Sequence, residues 1–350
     1  MQKPVVAVLF GGCSSEYSVS LHSARAVLAA LDRNKYQIVP VGITREGNWF
    51  HYTGPLETLE EDTWTRNPAC LTPAALSQDR SRQALLTFPP DRVVPLRLDA
   101  AFPVLHGRNG EDGTVQGLLQ LAGIPTAGCG VLSSALCMDK VRAHRLAAED
   151  GVAVPLGMVL TPDTPRQAAL DFVRQAGLPL FVKPVRSGSS HGITRVTREG
   201  DLDRAIDLAF RHDRRVLLEQ AIPGFEVGCA IMGTDKLTIG ELDEIELSGG
   251  FFDFEEKYTL KTSAIHVPAR VSPEVAARVK DTAQQVYRAL DCAGFARVDL
   301  FVTPQGEVYF NEVNTIPGFT EHSRFPAMLQ AAGLSFPEML DAILCQVVSP

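Results

Sequence analysis

The chain has 350 residues, 45% of them hydrophobic, and a formal net charge of −8. That length predicts two or three domains, and the apolar fraction excludes a largely disordered chain. A uniformly acidic protein is repelled by phosphate polymers and anionic lipid, which argues against nucleic acid or membrane as partners and leaves local basic groups for a phosphorylated small molecule.

In chain order, residues 5–10 form a continuous apolar run, as expected of a strand covered on both faces. Gly11-Gly12 breaks it. Residues 18–31 carry helical apolar spacing at Val19, Ala26, Val27 and Ala30, and 38–43 predicts the next strand. This βαβ opening predicts a parallel sheet in an α/β domain. Residues 44–98 hold both tryptophans, Trp49 and Trp64, and predict short strands and loops with no assigned role. A strand over 100–105 ends at His106-Gly107, and a helix spans 114–122.

From about Gly128 the pattern changes. One helix over 133–150 contains Asp139-Lys140; a strand at 180–184, a Gly/Ser loop, a helix at 202–210 and a strand at 216–219 follow. Past Gly224 the chain predicts strands over 226–232, 237–242 and at Val267-Pro268, a helix over 273–290, and strands over 297–302 and 308–314. The seven cysteines are scattered and form no Cys-x-x-Cys pair, which predicts buried thiols in a reducing cytoplasm rather than disulfides or a zinc site. The apolar start is too short for a signal segment, and no run reaches membrane-spanning length.

Chemistry concentrates in five segments. In the last two strands, Glu312 and Asn314 are spaced by two and so share one strand face; Asp299 on the neighbouring strand can complete a set of hard oxygen ligands suited to Mg²⁺. Interleaved Val298, Leu300, Val313 and Ile316 set this apart from a plain solvated acidic face. FVKPVRSGSSHGI, residues 181–193, places Lys183 at the end of a strand before a loop whose free N–H groups can cradle phosphate; an ordinary surface loop reads the same in isolation. LLEQAI and GFEVG, residues 217–228, suit either an adenine slot, with Glu219 and Glu226 as acceptors, or a plain strand and hinge. Glu16 in GGCSSEYSVSL is either a helix cap or the partner of a substrate ammonium, and the absence of Gly-x-Gly-x-x-Gly disfavours a dinucleotide site. His106 opens HGRNGEDGT at a strand end, where open α/β sheets place ligands, or is a structural histidine.

Together these residues resemble the D-alanine–D-alanine ligase family of the ATP-grasp superfamily. HGRNGEDGTVQG, MDK, FVKPVRSGSSHG, FFDFEEKY, RVDLF and NEVNTIPGFTEHS occur in the family's order, and the resemblance covers residues 5–340. It implies an α/β protein with a Rossmann-like parallel-sheet domain at 1–127, a central ATP-grasp domain at 128–221 and a C-terminal one at 222–350. It implies a cytoplasmic enzyme, a homodimer in its relatives, that uses ATP to phosphorylate the carboxylate of a first D-alanine; the amine of a second D-amino acid then displaces phosphate.

By the same resemblance Glu16 holds the first ammonium, and Glu16, Ser189 and Tyr258 close a loop over the site, since water would hydrolyse the acyl phosphate. Lys140, Lys183 and Lys257 contact phosphates; Glu219, Gln220, Ile222 and Glu226 hold the adenosine part. Asp299, Glu312 and Asn314 bind two Mg²⁺, with Mn²⁺ a substitute. Arg297 and the Gly318 amide stabilise the tetrahedral oxyanion, His106 lines the first subsite and Ser323 meets the second carboxylate. Gln220 departs from the lysine of many relatives. A non-catalytic nucleotide-binding regulator would have lost a metal ligand or a phosphate lysine, and none is missing.

Relatives take D-alanine, D-serine or D-lactate second. Lactate-preferring relatives lack the Lys-Tyr pair present here as Lys257-Tyr258. Arg324 stands where leucine is common in D-alanine–D-alanine ligases; it can donate to a serine hydroxyl or to a bridging carboxylate such as Asp243, with Phe252 shaping the same pocket. SSALCMDK, GFEVGCA, DEIELSGGFFDF and NTIPGFTEHSRFP look most like the VanG-type D-alanine–D-serine ligases of vancomycin resistance, so D-serine is expected ahead of D-alanine.

Overall fold

In the computed structural model, residues 3–188, 191–247 and 263–348 are described. Three sheets organise them. The first has seven strands in the order β6-β5-β4-β3-β2-β1-β7. Its parallel part is β1 (Val5–Gly11), flanked by β2 (Gln37–Ile43) and β7 (Ala100–Pro103). Helix α1 (Tyr17–Ala30) crosses between β1 and β2, as the βαβ pattern predicts. Beyond β2 the sheet turns antiparallel through β3 (Trp49–Tyr52), β4 (Leu71–Leu76), β5 (Ala84–Thr87) and β6 (Val94–Arg97). The segment that carried no assigned role therefore extends the parallel sheet as a meander. It also supports α1: fully buried Trp64 packs edge-on against Phe10 and Tyr52 and donates its indole N–H to Tyr17 Oη at 2.8 Å.

The second sheet has the order β10-β9-β11-β8, built from β8 (Gly157–Leu160), β9 (Leu180–Pro184), β10 (Thr194–Val196) and β11 (Val216–Gln220). Helices α6 (Arg166–Ala176) and α7 (Leu202–Phe210) cover it. The third has the order β14-β13-β12-β15-β16, from β12 (Phe225–Met232), β13 (Thr238–Leu247), β14 (Ser263–His266), β15 (Phe295–Val302) and β16 (Val308–Asn314). Helix α8 (Pro273–Ala289) packs on it, its N-terminus capped by Ser272. Val267-Pro268, expected in a strand, lies just past β14, where the proline's missing N–H costs no ladder bond.

The helix expected over 133–150 is two. Helix α4 (Val131–Met138) ends and α5 (Lys140–Glu149) begins on either side of Asp139, whose backbone is extended and whose carboxylate accepts the Arg142 N–H at 3.1 Å. An aspartate satisfies an orphan donor better as an N-cap than inside a helix. The break makes Lys140 the first residue of α5. The largest hydrophobic cluster joins the first sheet and α1 to α9 (Arg324–Ala331) and α10 (Phe336–Cys345), with Phe102, Phe295, Phe319 and Phe325 in edge-on or tilted contact. The first and third sheets thus share one core, and the site lies between them.

Candidate active site

Register builds the acidic face. β15 and β16 pair Arg297 with Asn314 and Asp299 with Glu312, and opposed residues of an antiparallel pair share a face. The apolar partners Val298 and Val313 point the other way, into the core. A bulge follows Asp299, leaving Asn311 as the extra residue. Arg297 clasps Asp299 through Nε and Nη2, both at 2.8 Å, and Asn314 Nδ2 donates to Asp299 Oδ2 at 2.8 Å. Two carboxylates and one amide oxygen on one face fit a divalent ion that takes its remaining ligands from water and phosphate.

The same row continues across the sheet. Gly228 on β12 lies opposite both Asp299 on β15 and Asp243 on β13. Arg324, the first residue of α9, lies against Gly228. Its Nε and Nη2 reach Asp243 at 2.6 and 2.8 Å, Nη1 reaches Glu226 at 2.8 Å, and Nη2 stands 3.4 Å from Asp299. Gly228 is glycine for a steric reason: a Cβ there would stand 2.5 Å from Asp243 Oδ1 and 2.7 Å from Arg324 Nη2. Burial by itself raises the Asp243 carboxyl, but the Arg324 guanidinium outweighs it and holds the group below the usual carboxylate range.

A basic corner faces Glu312. Lys140 Nζ lies 3.4 Å from Glu312 Oε2 and donates to the Ser187 carbonyl at 2.8 Å, at the start of the Gly/Ser loop. Lys183 on β9 and Glu219 on β11 form a buried ion pair. Glu219 Oε2 has no hydrogen-bond partner, an orphaned buried acceptor of the kind that a nucleotide's amino or hydroxyl group satisfies. Four residues after Lys140 on the same helix face, His144 donates from Nε2 to the Asn311 carbonyl at 2.7 Å and turns Nδ1 toward Glu219 at 4.0 Å. Burial holds its imidazole below the usual pKa. Gln220 pairs with Leu156, and Ile222 is half-buried in the connection between β11 and β12.

A cavity of about 310 Å³ opens between the two sheets, lined in part by Glu16, His106, Arg297, Asn314, Gly318, Ser323 and Arg324. Glu16 occupies the N-cap position of α1 but makes no side-chain cap bond, so the capping role is not the one it fills. Two glycines leave room for its carboxylate: a Cβ at Gly107, whose φ is +73°, would stand 2.3 Å from Glu16 Oε2, and one at Gly188 2.8 Å from it. His106 is locked in one tautomer. Nδ1 donates to the Ile316 carbonyl at 2.9 Å, leaving Nε2 to accept from Ser23 Oγ at 2.9 Å. Burial keeps this ring, too, below its usual pKa, against the pull of Glu16. Gly318 closes on Ser323, whose Oγ would lie 2.8 Å from a Cβ there.

Glu111, quoted within HGRNGEDGT but given no role, belongs to this cavity. It accepts the N–H of Gly107 at 2.6 Å and of Ile316 at 3.3 Å. Burial, and then Glu16, push its carboxyl up to about 8. His144, Ser23 and Gly228 were also passed over. For His144 the signal was its i+4 spacing from Lys140; for Gly228 only the register reveals the role. Ser189, Phe252, Lys257 and Tyr258 lie outside the described residues.

Residues 5–129 match the family described as D-ala D-ala ligase N-terminus, and 146–345 match D-ala D-ala ligase C-terminus. The chain is 43% identical to a D-alanine–D-alanine ligase of Caldicellulosiruptor bescii, over 98% of this chain and 95% of that one. It is 45% identical to a putative D-alanine–D-lactate ligase of Streptomyces coelicolor, over 98% and 97%. The solved structure of the VanG D-Ala:D-Ser ligase from Enterococcus faecalis superposes with a TM-score of 0.90 at 52% identity, covering 98% of this chain and 99% of that one. The three sheets are accordingly those of an ATP-grasp enzyme. The protein is an ATP-dependent ligase acting on D-amino acids, and it belongs to the D-alanine–D-alanine ligase family.

Proposed function

We propose that this enzyme joins D-alanine to D-serine, as a supplier of peptidoglycan precursor. Arg324 carries the proposal. It lines the cavity beside Ser323 while three of its nitrogens are held by Asp243 and Glu226. A guanidinium fixed in this way makes a polar wall. A serine hydroxyl adds a hydrogen bond to that wall, whereas the methyl group of D-alanine offers none. Sites built to hydrogen-bond a hydroxyl discriminate strongly against the analogue lacking it. The 52% identity to the D-Ala:D-Ser ligase supports the same reading. Lys257-Tyr258 in the sequence speaks against lactate.

Catalysis requires the first carboxylate to become an acyl phosphate, because a carboxylate is a poor electrophile until its oxygen can leave. Glu16 receives the ammonium of the first D-alanine. Lys140, Lys183 and Lys257 receive phosphate oxygens, and Glu219, Gln220, Ile222 and Glu226 the adenosine part. Asp299, Glu312 and Asn314 would hold two Mg²⁺, or Mn²⁺ in their place, and the metal would supply neutralisation of phosphate charge. Arg297 stabilises the developing oxyanion, joined there by the Gly318 amide. Ser189 and Tyr258 close over the site with Glu16, and Phe252 narrows the second subsite. The proposal extends to a cytoplasmic homodimer whose subunits fold as 1–127, 128–221 and 222–350.

The test is a competition. The enzyme is given ATP, Mg²⁺ and equal D-alanine and D-serine, and the dipeptides are weighed by mass. D-alanyl-D-serine should dominate. A product that is almost all D-alanyl-D-alanine would refute the proposal.

A further inference from the structure

The turn between α7 and β11, residues 211–215, is part of neither α5 nor the Gly/Ser loop, yet it grips both. Asp213 donates its N–H to the Ala209 carbonyl at 3.2 Å, which seats the turn on the buried end of α7. The Asp213 side chain is 6% exposed and both of its oxygens are occupied. Oδ2 accepts the Arg186 N–H at 2.9 Å and Nε at 3.2 Å; Oδ1 accepts Arg186 Nη2 at 3.1 Å and the Arg215 N–H at 3.3 Å. One carboxylate thus takes three donors from Arg186, main chain and side chain together, and fixes the backbone at the root of the loop as well as the guanidinium. Burial by itself raises the Asp213 carboxyl, but Arg186 outweighs it and holds the group below the usual carboxylate range.

Arg215 ties the same turn to Lys140. Its carbonyl accepts the Val185 N–H at 3.0 Å, and its Nη1 donates to Asp139 Oδ2 at 3.0 Å. Asp139 caps α5, whose first residue is Lys140. Lys140 in turn donates its N–H to the Val185 carbonyl at 3.2 Å and its Nζ to the Ser187 carbonyl at 2.8 Å. Ser187 Oγ donates to the His191 carbonyl at 3.0 Å, across the loop. Residues 185–187 are therefore fastened from one side by the turn and from the other by Lys140. Neither Asp213 nor Arg186 lines the ligase cavity.

We propose that Asp213 is a positioning residue for ATP: through Arg186 it holds the root of the Gly/Ser loop at the spacing where the loop and the Lys140 ammonium take one polyphosphate together. The proposal rests on the reading of Lys140 as a phosphate contact. A segment fixed beforehand loses no conformational freedom when the nucleotide arrives, whereas a loose one does, and each residue ordered on binding lowers affinity by about tenfold. Once ATP is seated, its phosphates hold the loop from the other side, so the chemical step feels little change. The Arg186 side chain is 52% exposed, and pairs that open to water add little to global stability.

The experiment is steady-state kinetics with ATP varied, on the full-length wild type, Asp213→Asn, Arg186→Met and the double variant. Asp213→Asn keeps the side-chain shape but removes the charge that the guanidinium fork grips. Each single variant should raise the KM for ATP by about tenfold, one ordered residue's worth. The double variant should raise it no further, because both changes undo one link. The turnover number, the KM for D-alanine and the melting temperature should stay near wild type. A wild-type KM for ATP in both single variants overturns the proposal. So do effects that multiply in the double variant, and so does a fall in melting temperature and turnover number with no change in the KM for ATP. Lys140→Met separates the two readings. A raised KM for ATP there, with wild-type values in the other variants, removes the positioning role alone; an unchanged KM there refutes the phosphate reading and this proposal together. None of these results bears on the D-serine competition.

Discussion

Arg324 holds both oxygens of Asp243, at 2.6 and 2.8 Å, where Asp243 is 0% exposed. Removing one partner of a buried pair leaves an uncompensated charge. Arg324→Leu should therefore destabilise the fold by about 3–5 kcal/mol, measured by denaturant unfolding. Adding Asp243→Asn should recover part of that loss, because it removes the stranded charge. If Arg324 sets the second substrate, the double variant should also shift product from D-alanyl-D-serine toward D-alanyl-D-alanine.

Gly228 makes that pair possible. A methyl group there would stand 2.5 Å from Asp243 Oδ1, 2.7 Å from Arg324 Nη2 and 3.2 Å from Asp299 Oδ1. Gly228→Ala should push Arg324 and Asp299 apart, costing about 1–3 kcal/mol as overpacking does. Its KM for the second amino acid should rise more than its KM for ATP, and steady-state kinetics with each substrate varied in turn would measure the difference.

Glu111 makes stability depend on pH. Its folded carboxyl titrates at about 8 instead of the ordinary 4.5, because burial and Glu16 disfavour the charge. A raised folded pKa gives stability that is full below the unfolded value and is lost as pH rises through the folded one. The wild type should thus lose stability between about pH 5 and 8 through this group. Glu111→Gln, which cannot ionise, should flatten that part of the profile. Denaturant midpoints at pH 6, 7 and 8 would show it, and parallel slopes for the two proteins would count against it.

Glu312 lies on the face of Asp299 with Lys140 3.4 Å away, and its side chain is 23% exposed. Glu312→Gln should leave the melting temperature nearly unchanged while lowering kcat/KM by roughly 100-fold, several kcal/mol of charge stabilisation being at stake. The Mg²⁺ concentration needed for half-activity should rise. Chelation of the metal in the wild type should abolish dipeptide formation, and its return should restore it.

Local patterns in the sequence were enough for the elements and the family. A continuous apolar run marked β1, and the Glu312/Asn314 spacing located one face of β16, because side-chain direction alternates by chain geometry alone. The break at Asp139 was readable in principle, since aspartate prefers a cap, but helical periodicity on both sides concealed it. Other relationships depend on contacts distant in sequence. Asp243, Gly228, Asp299 and Glu312 form a row only because four strands pair in one register. Arg324 bridges that row only because α9 docks on β12 and β13. Glu111 acquires its raised pKa from a neighbour 95 positions away, Glu16, and from burial. Register, docking and desolvation are properties of the packed chain, so which of the acidic groups are paired, protonated or left open was decided by tertiary structure.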